Sequence, residues 1–270
     1  MPLHEALPAT AAARPPLIPS SRSLPSTPGP ISRFPGQRIQ SRLREGRGQE
    51  RVITGNRQTS WAFADAYGAE LVESAESEAL HWARDRAQDA GLRSVSPGTG
   101  SALRLLAATA EAKAVAEIGT GTGVSGIHLL HGMRSDGVLT TVDIEPERQQ
   151  FAREAFRAAG FAGNRARFIP GRALDVLPRL ADGGYDLVFC DGDRMECLDY
   201  LGESLRLLRP GGLICFAGVF AEGRTVDSAA QPAEVLKLRE LLRTVRESTV
   251  LVPSLLPVGD GLLCAVKRGE

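Results

Sequence analysis

From residue 113 onward, short apolar runs of strand length alternate with segments of helical periodicity, and this alternation narrows the fold more than any other feature. Strands are expected near 113–119, 138–144, 166–170, 185–191 and 212–218, with helices near 124–133, 146–159, 173–181 and 196–208 between them. Strands that read as nearly continuous apolar runs are buried on both faces, which is the signature of a parallel sheet covered by helices on either side. A helix near 232–247 follows. Residues 250–258 and 262–266 then flank Gly259-Asp260-Gly261, a turn signal that makes the last two strands an antiparallel hairpin. The expected class is therefore α/β, a doubly wound, Rossmann-like, mainly parallel seven-stranded sheet with a C-terminal antiparallel hairpin. Two helices precede it: one from Ser60 through Leu71, Val72, Ala75, Leu80, Ala83 and Ala87 to a stop at Gly91, and one over 100–112.

Residues 1–57 differ from the rest. They hold nine of the seventeen prolines and nine arginines, against Glu5, Glu45 and Glu50 as the only acids. Such a stretch cannot build a core, so it is expected to be a disordered Pro/Arg/Ser-rich tail ahead of one domain at 58–270. Its make-up is like that of a transit peptide without the amphipathic period, and Val52 also suits a non-ATG start. Across the chain 32 basic residues balance 32 acidic ones, so bulk charge gives no reason to expect a nucleic-acid partner. Apolar runs such as 212–219 are far shorter than the roughly 20 residues that span a bilayer, and no N-terminal segment joins a basic start to an apolar core. A cytoplasmic protein without a membrane partner is expected. Cys190, Cys197, Cys215 and Cys264 lack C-x-x-C spacing and read as buried thiols.

The first strand runs into Glu117-Ile118-Gly119-Thr120-Gly121-Thr122-Gly123 and then a helix. Glycines at alternate positions let the main chain turn tightly and approach a ligand closely. The run formally contains a dinucleotide fingerprint, Gly121-x-Gly123-x-x-Gly126, with Asp143 twenty residues on at the end of the second strand. Asp143 suits ribose hydroxyls, or a helix cap before Pro146. Glu117 discriminates. A carboxylate beside the turn disfavours a pyrophosphate but accepts hydrogen bonds from an ammonium group or from hydroxyls, and S-adenosylmethionine carries both without a phosphate. Buried in a strand, Glu117 needs a cationic or hydroxyl-bearing partner.

The fourth strand ends in Asp191-Gly192-Asp193-Arg194, at the edge where doubly wound sheets bind ligands. The two carboxylates can hold a metal, orient a substrate amine or hydroxyl, position the two ends of the cofactor, or cap the next helix. Leu208-Arg209-Pro210-Gly211-Gly212 reads as a Pro-Gly turn. His81, His128 and His131 fall on expected helices with no nucleophile pattern nearby and read as surface or packing residues.

Glu117-Ile118-Gly119-Thr120, Ser125, Asp143, Asp191-Gly192-Asp193, Pro210-Gly211-Gly212 and the closing Leu256-Pro257-Val258-Gly259-Asp260-Gly261-Leu262 stand in the order found in catechol and caffeoyl-CoA type O-methyltransferases. The chain resembles that family over roughly residues 60–268, in particular its actinobacterial members. The resemblance implies the class I methyltransferase fold, a homodimer, and an S-adenosylmethionine pocket lined by Val95, Glu117, Gly119, Thr120, Ser125, Asp143, Ile144, Ala173 and Asp193, with Asp191 facing substrate. In metal-dependent members an Asp-Ala-Asp-Lys segment and a later Asp-Asn pair supply divalent-ion ligands and a lysine base. Here Asp191 matches the first ligand, Arg194 stands at the lysine, and Ala217-Gly218 replaces the pair. Arginine, with a pKa above about 12, is a poor base and a good clamp for anionic groups. One carboxylate is too few for a usual Mg²⁺ site, and Glu222 or Asp227 would have to make up the set.

The sequence thus predicts an S-adenosylmethionine-dependent O-methyltransferase acting on a small-molecule hydroxyl without an obligatory divalent metal. Asp191 is the expected catalytic residue, and Asp191 and Arg194 the expected substrate contacts. Two rivals remain at this point: a cofactor-binding protein with lost or altered turnover, and an NAD(P)-dependent oxidoreductase. For the latter, none of Tyr67, Tyr185 and Tyr200 has a lysine four positions on.

Overall fold

The computed structural model describes residues 64–65, 67–68 and 78–269. The expected tail at 1–57, and most of the helical pattern between Ser60 and Ala75, lie outside the described residues. Two helices, α1 (Glu78–Asp89) and α2 (Pro97–Thr109), lead into β1 (Ala114–Ile118), α3 (Val124–Gly132), β2 (Val138–Asp143), α4 (Pro146–Ala158) and β3 (Ala166–Pro170). Then come the short α5 (Ala173–Val176), β4 (Tyr185–Cys190), α6 (Cys197–Leu207), β5 (Leu208–Ala217), α7 (Ala233–Glu247), β6 (Leu251–Leu256) and β7 (Leu262–Lys267). The seven strands form one sheet in the order β3-β2-β1-β4-β5-β7-β6. The first five are parallel, β7 runs antiparallel to β5, and β6 pairs antiparallel with β7.

The two-residue period of each strand divides its side chains between two cores. Along β4, Val188 and Cys190 face α6 and α7, packing with Leu201, Leu207, Leu238 and Leu241. Leu187 and Phe189 face the other way, among Leu103, Ile127, Leu129 and Phe156 of α2, α3 and α4. On β1 the same alternation sends Ala116 and Ile118 to the first core and Val115 to the second. Glu117 shares the face of Val115 and so points towards α3. All four cysteines are buried free thiols.

Three expected boundaries move for identifiable reasons. Helix α2 starts at Pro97, three residues early, because Ser96 caps it by accepting from the Thr99 amide at 3.1 Å and Pro97 suits the first turn. The helix expected over 173–181 is only α5 followed by a 3₁₀ turn at Leu177–Arg179, because Pro178 has no amide to continue the ladder. The Pro-Gly turn lies within the span of β5. Tyr185 pairs with Leu208 and Leu187 with Leu213, so four residues bulge opposite Asp186 alone. Asp186 steadies that bulge through Arg209 at 2.6 Å and pins the start of β1 through the amides of Lys113 and Ala114 at 2.8 and 2.9 Å.

Candidate active site

The chain leaves β1 for β2 and β3 on one side and returns through β4 and β5 on the other, so a crevice opens above the carboxyl ends of β1 and β4. Its floor is tight. The Asp191 amide donates to the Ile118 carbonyl at 2.8 Å and the Gly119 amide to the Val142 carbonyl at 2.9 Å. Gly119 has φ +94°, and a Cβ there would overlap the main-chain carbonyl oxygen of Asp191. Only glycine satisfies both conditions.

Above this floor lies a cleft of about 500 Å³, lined by Gly119, Asp143, Ile144, Ala173, Asp191 and Asp193 among others. Val95, Thr120 and Ser125 line a small recess that also touches Gly119 and Asp191. On the far side of Asp191 a larger cavity of about 1080 Å³ opens, with Val95, Pro97, Phe220 and Val226 as apolar walls and Arg194 among its polar groups. Asp191 belongs to both large cavities.

Asp143 accepts from the Gly121 amide at 2.8 Å through Oδ2 and from the Glu145 amide at 2.9 Å through Oδ1, which leaves each oxygen a second acceptor direction. Glu145, not Asp143, is the cap residue of α4. Ile144 is 57% exposed at the rim, an apolar face turned to the cleft. Asp193 accepts from the Met195 amide at 2.9 Å, so it does cap the 3₁₀ turn that leads into α6.

Glu117 lies beneath the site, with none of its surface exposed. Its hydroxyl-bearing partners belong to the chain: Ser125 donates to Oε1 at 2.6 Å and Thr141 to Oε2 at 2.7 Å. Because the Thr141 proton goes to Glu117, the 2.7 Å contact between Thr120 and Thr141 has Thr120 as donor. Gln149 in turn donates to Thr120 at 3.3 Å. This relay fastens the glycine turn, α3, β2 and α4 together beneath the cleft.

Over residues 73–268 the chain matches the O-methyltransferase family. The chain belongs to this family. A Mycobacterium tuberculosis protein that bears the name probable O-methyltransferase shares 50% identity with this one over 207 residues, 77% of this chain and 90% of its own. Another, from Mycobacterium marinum, is 51% identical over 192 residues, 71% and 86% of the two chains. Among solved structures, the Streptomyces achromogenes O-methyltransferase TomG, in complex with S-adenosylmethionine, aligns with a TM-score of 0.72 at 28% identity, over 80% of this chain and 100% of its own. The Bacillus cereus O-methyltransferase in complex with S-adenosylhomocysteine aligns with 0.70 at 26% identity, covering 78% and 99%.

Two carboxyls of this O-methyltransferase are raised furthest. Burial pushes Glu117 up to about 7, against the lowering effect of the Ser125 and Thr141 hydrogen bonds. Surrounding protein likewise pushes Asp191 up to about 7, while the Arg194 guanidinium pulls it down. Asp191 is exposed to both cavities, and that contact with water works against the shift. For Glu117 the sign of the linkage is clear. Its folded value lies above the ordinary 4.5, so the folded chain holds a proton that the unfolded chain has released, and stability falls as pH rises from about 4.5 to about 7. The cost is roughly 3 kcal/mol by the usual conversion. Glu117→Gln removes this titration, and the fall in Tm between pH 5 and pH 8 is expected to shrink measurably in the variant. An unchanged fall would assign the effect to other groups.

The residues beside Asp191 do not fit a divalent ion. Ala217 and Gly218 offer no side-chain donor, Glu222 is ion-paired with Arg93, and Asp227 accepts from the Ala229 amide at 2.9 Å. Among the described residues, no three His, Cys, Asp or Glu side chains converge to hold a metal.

Sequence reasoning missed two contributors to the larger cavity. Asp260 was legible only as a turn residue, yet its Oδ1 accepts from the Glu222 amide at 2.7 Å and its Oδ2 faces Arg194 at 3.4 Å. Asp65 accepts from the amides of Gly98 at 3.1 Å and Gly259 at 2.8 Å. No local signal marks a partner 194 positions away.

Proposed function

We propose that this O-methyltransferase carries the methyl group of S-adenosylmethionine to a hydroxyl of a small molecule, with Asp191 at the point of transfer and no divalent ion required. The observation that carries this reading is the place of Asp191, which is shared by a cleft of cofactor size and a separate, more apolar cavity. The donor supplies an electrophilic methyl on a sulfonium. In this reading Asp143 takes the ribose hydroxyls on its open acceptor directions, Ile144 and Ala173 flank the adenine, and Asp193 holds the purine end. Val95, Gly119, Thr120 and Ser125 surround the amino-acid end, with Glu117 holding Ser125 from below.

On the acceptor side, Asp191 orients the hydroxyl and takes its proton, and Arg194 holds the acceptor. The oxygen's electron pair forms the O–CH₃ bond and sulfur keeps the pair of the C–S bond. Holding oxygen and methyl near contact distance supplies much of the rate of such a displacement. The reading places the enzyme in the cytoplasm as a homodimer, with its domain at 58–270. The four free thiols favour the cytoplasmic part of this reading.

Calorimetry tests the donor directly. S-adenosylhomocysteine is expected to bind the parent chain and to lose about 10- to 100-fold in affinity on Asp143→Asn, the effect of one or two hydrogen bonds to a charged group. Tighter binding of NADH than of S-adenosylmethionine would overturn the reading.

A further inference from the structure

The Asp-Asn pair of metal-dependent relatives is replaced here by Ala217-Gly218, and the Arg194 side chain lies over that strand end. Arg194 crosses the carboxyl end of β5, where a Cβ added to Gly218 would stand 2.7 Å from Nη2. Glycine at 218, with φ +68°, leaves the guanidinium room at the strand end. Two carboxylates steer it from behind. Asp260 meets Nη2 at 3.4 Å and Glu234 meets Nη1 at 3.9 Å, both longer than the roughly 2.7–2.9 Å of a close charge-assisted pair. Each has a shorter bond elsewhere, Asp260 to the Glu222 amide at 2.7 Å and Glu234 to Arg224 at 2.8 Å. They align the guanidinium without using up its five N–H donors. Arg194 and Asp191 line the same apolar-walled cavity, and the only other cation there, among its described lining residues, is Arg93, exposed and paired with Glu222.

We propose that the Arg194 guanidinium replaces the divalent cation of the metal-dependent enzymes, binding the acceptor oxygen and holding it as an oxyanion, so that the acceptors are phenols, planar and with an acidic hydroxyl. The proposal rests on the methyltransferase reading above. Arg194 exchanges no proton: guanidinium stays charged, and the hydroxyl proton leaves to Asp191 or to solvent. Asp260 and Gly218 are positioning residues that act through Arg194. A fixed opposite charge at contact distance lowers the pKa of an acid by about 1 to 3 units, an effect that the carboxylates of Asp65, Asp191, Glu222 and Asp260 in the same lining oppose and that expulsion of water by the bound acceptor strengthens.

The test uses coloured phenols whose absorbance reports ionisation, 4-nitrophenol and 4-nitrocatechol, titrated with pH in the presence of the full-length protein, saturating S-adenosylhomocysteine and excess EDTA. The bound dye is expected to ionise about 1 to 3 units below its free value. Arg194→Gln abolishes the shift, Arg194→Lys keeps part of it, and calorimetry shows S-adenosylhomocysteine bound as tightly by both variants as by the parent. That unchanged affinity certifies the fold. The proposal is overturned if neither dye binds, if the bound dye ionises as in solution, if the shift appears only on adding Mg²⁺, or if it survives Arg194→Gln. Failure of the donor reading looks different, since S-adenosylhomocysteine would then not bind the parent at all.

Discussion

Gly119→Ala is expected to cost more than about 4 kcal/mol, a large part of the roughly 5–15 kcal/mol of a typical domain. Two penalties coincide at this residue. An alanine must adopt φ +94°, and its Cβ must displace the carbonyl of Asp191, which is main chain and cannot swing aside. Displacing it means parting β1 from β4 at the centre of the sheet, where the Asp191 amide holds the Ile118 carbonyl. Gly121→Ala is the control. It carries a positive φ of +50° but no atom lies within 4 Å of its Cβ, so only strain of about 1 kcal/mol is expected. Urea denaturation of both variants decides the matter. Equal losses would show that close approach of the two strand ends is not what glycine 119 provides.

Asp191→Asn is expected to lower kcat by about 10²- to 10⁴-fold on whichever phenol the parent methylates best, the range for losing a positioned proton acceptor. Asparagine keeps the size of the side chain and its place between the two cavities. It cannot take the hydroxyl proton, and it no longer offsets the charge of Arg194. Affinity for S-adenosylhomocysteine should change little, because Asp143 and the glycine turn are untouched. A variant within threefold of the parent would move the proton's destination to solvent and leave Asp191 as a spacer.

The fold was largely readable because its signals are local. The alternation of apolar strands with helices, and Gly259-Asp260-Gly261 before β7, each need only a window of neighbouring residues. Pro178 carried a local signal too, and it explains the shortened α5. The glycine turn and Asp143, which the sequence placed together, do line one cleft, since both are strand-end residues of consecutive units. What the sequence concealed depends on tertiary neighbours. Glu117 was legible as a carboxylate in need of partners, but Thr141 becomes one only through the β1–β2 register that sets the two side by side. Arg194 was legible as a departure from the family pattern, whereas its course over Gly218 requires β4 and β5 to be adjacent and Asp260 to return on the hairpin.

The carboxylate of Asp65, bridging Gly98 and Gly259, belongs to the larger cavity and not to the smaller cleft. Every lining residue of the smaller cleft comes from the stretch between Leu92 and Tyr200, so none of it depends on the hairpin for its side chains. The acceptor cavity draws on residue 65 and on residues 259–260, and its wall closes only when β6 and β7 have docked. Loops held by a few side-chain clasps tolerate substitution at little expense to the sheet. The acceptor specificity of such an enzyme can therefore drift over evolutionary time while the cofactor half is inherited whole.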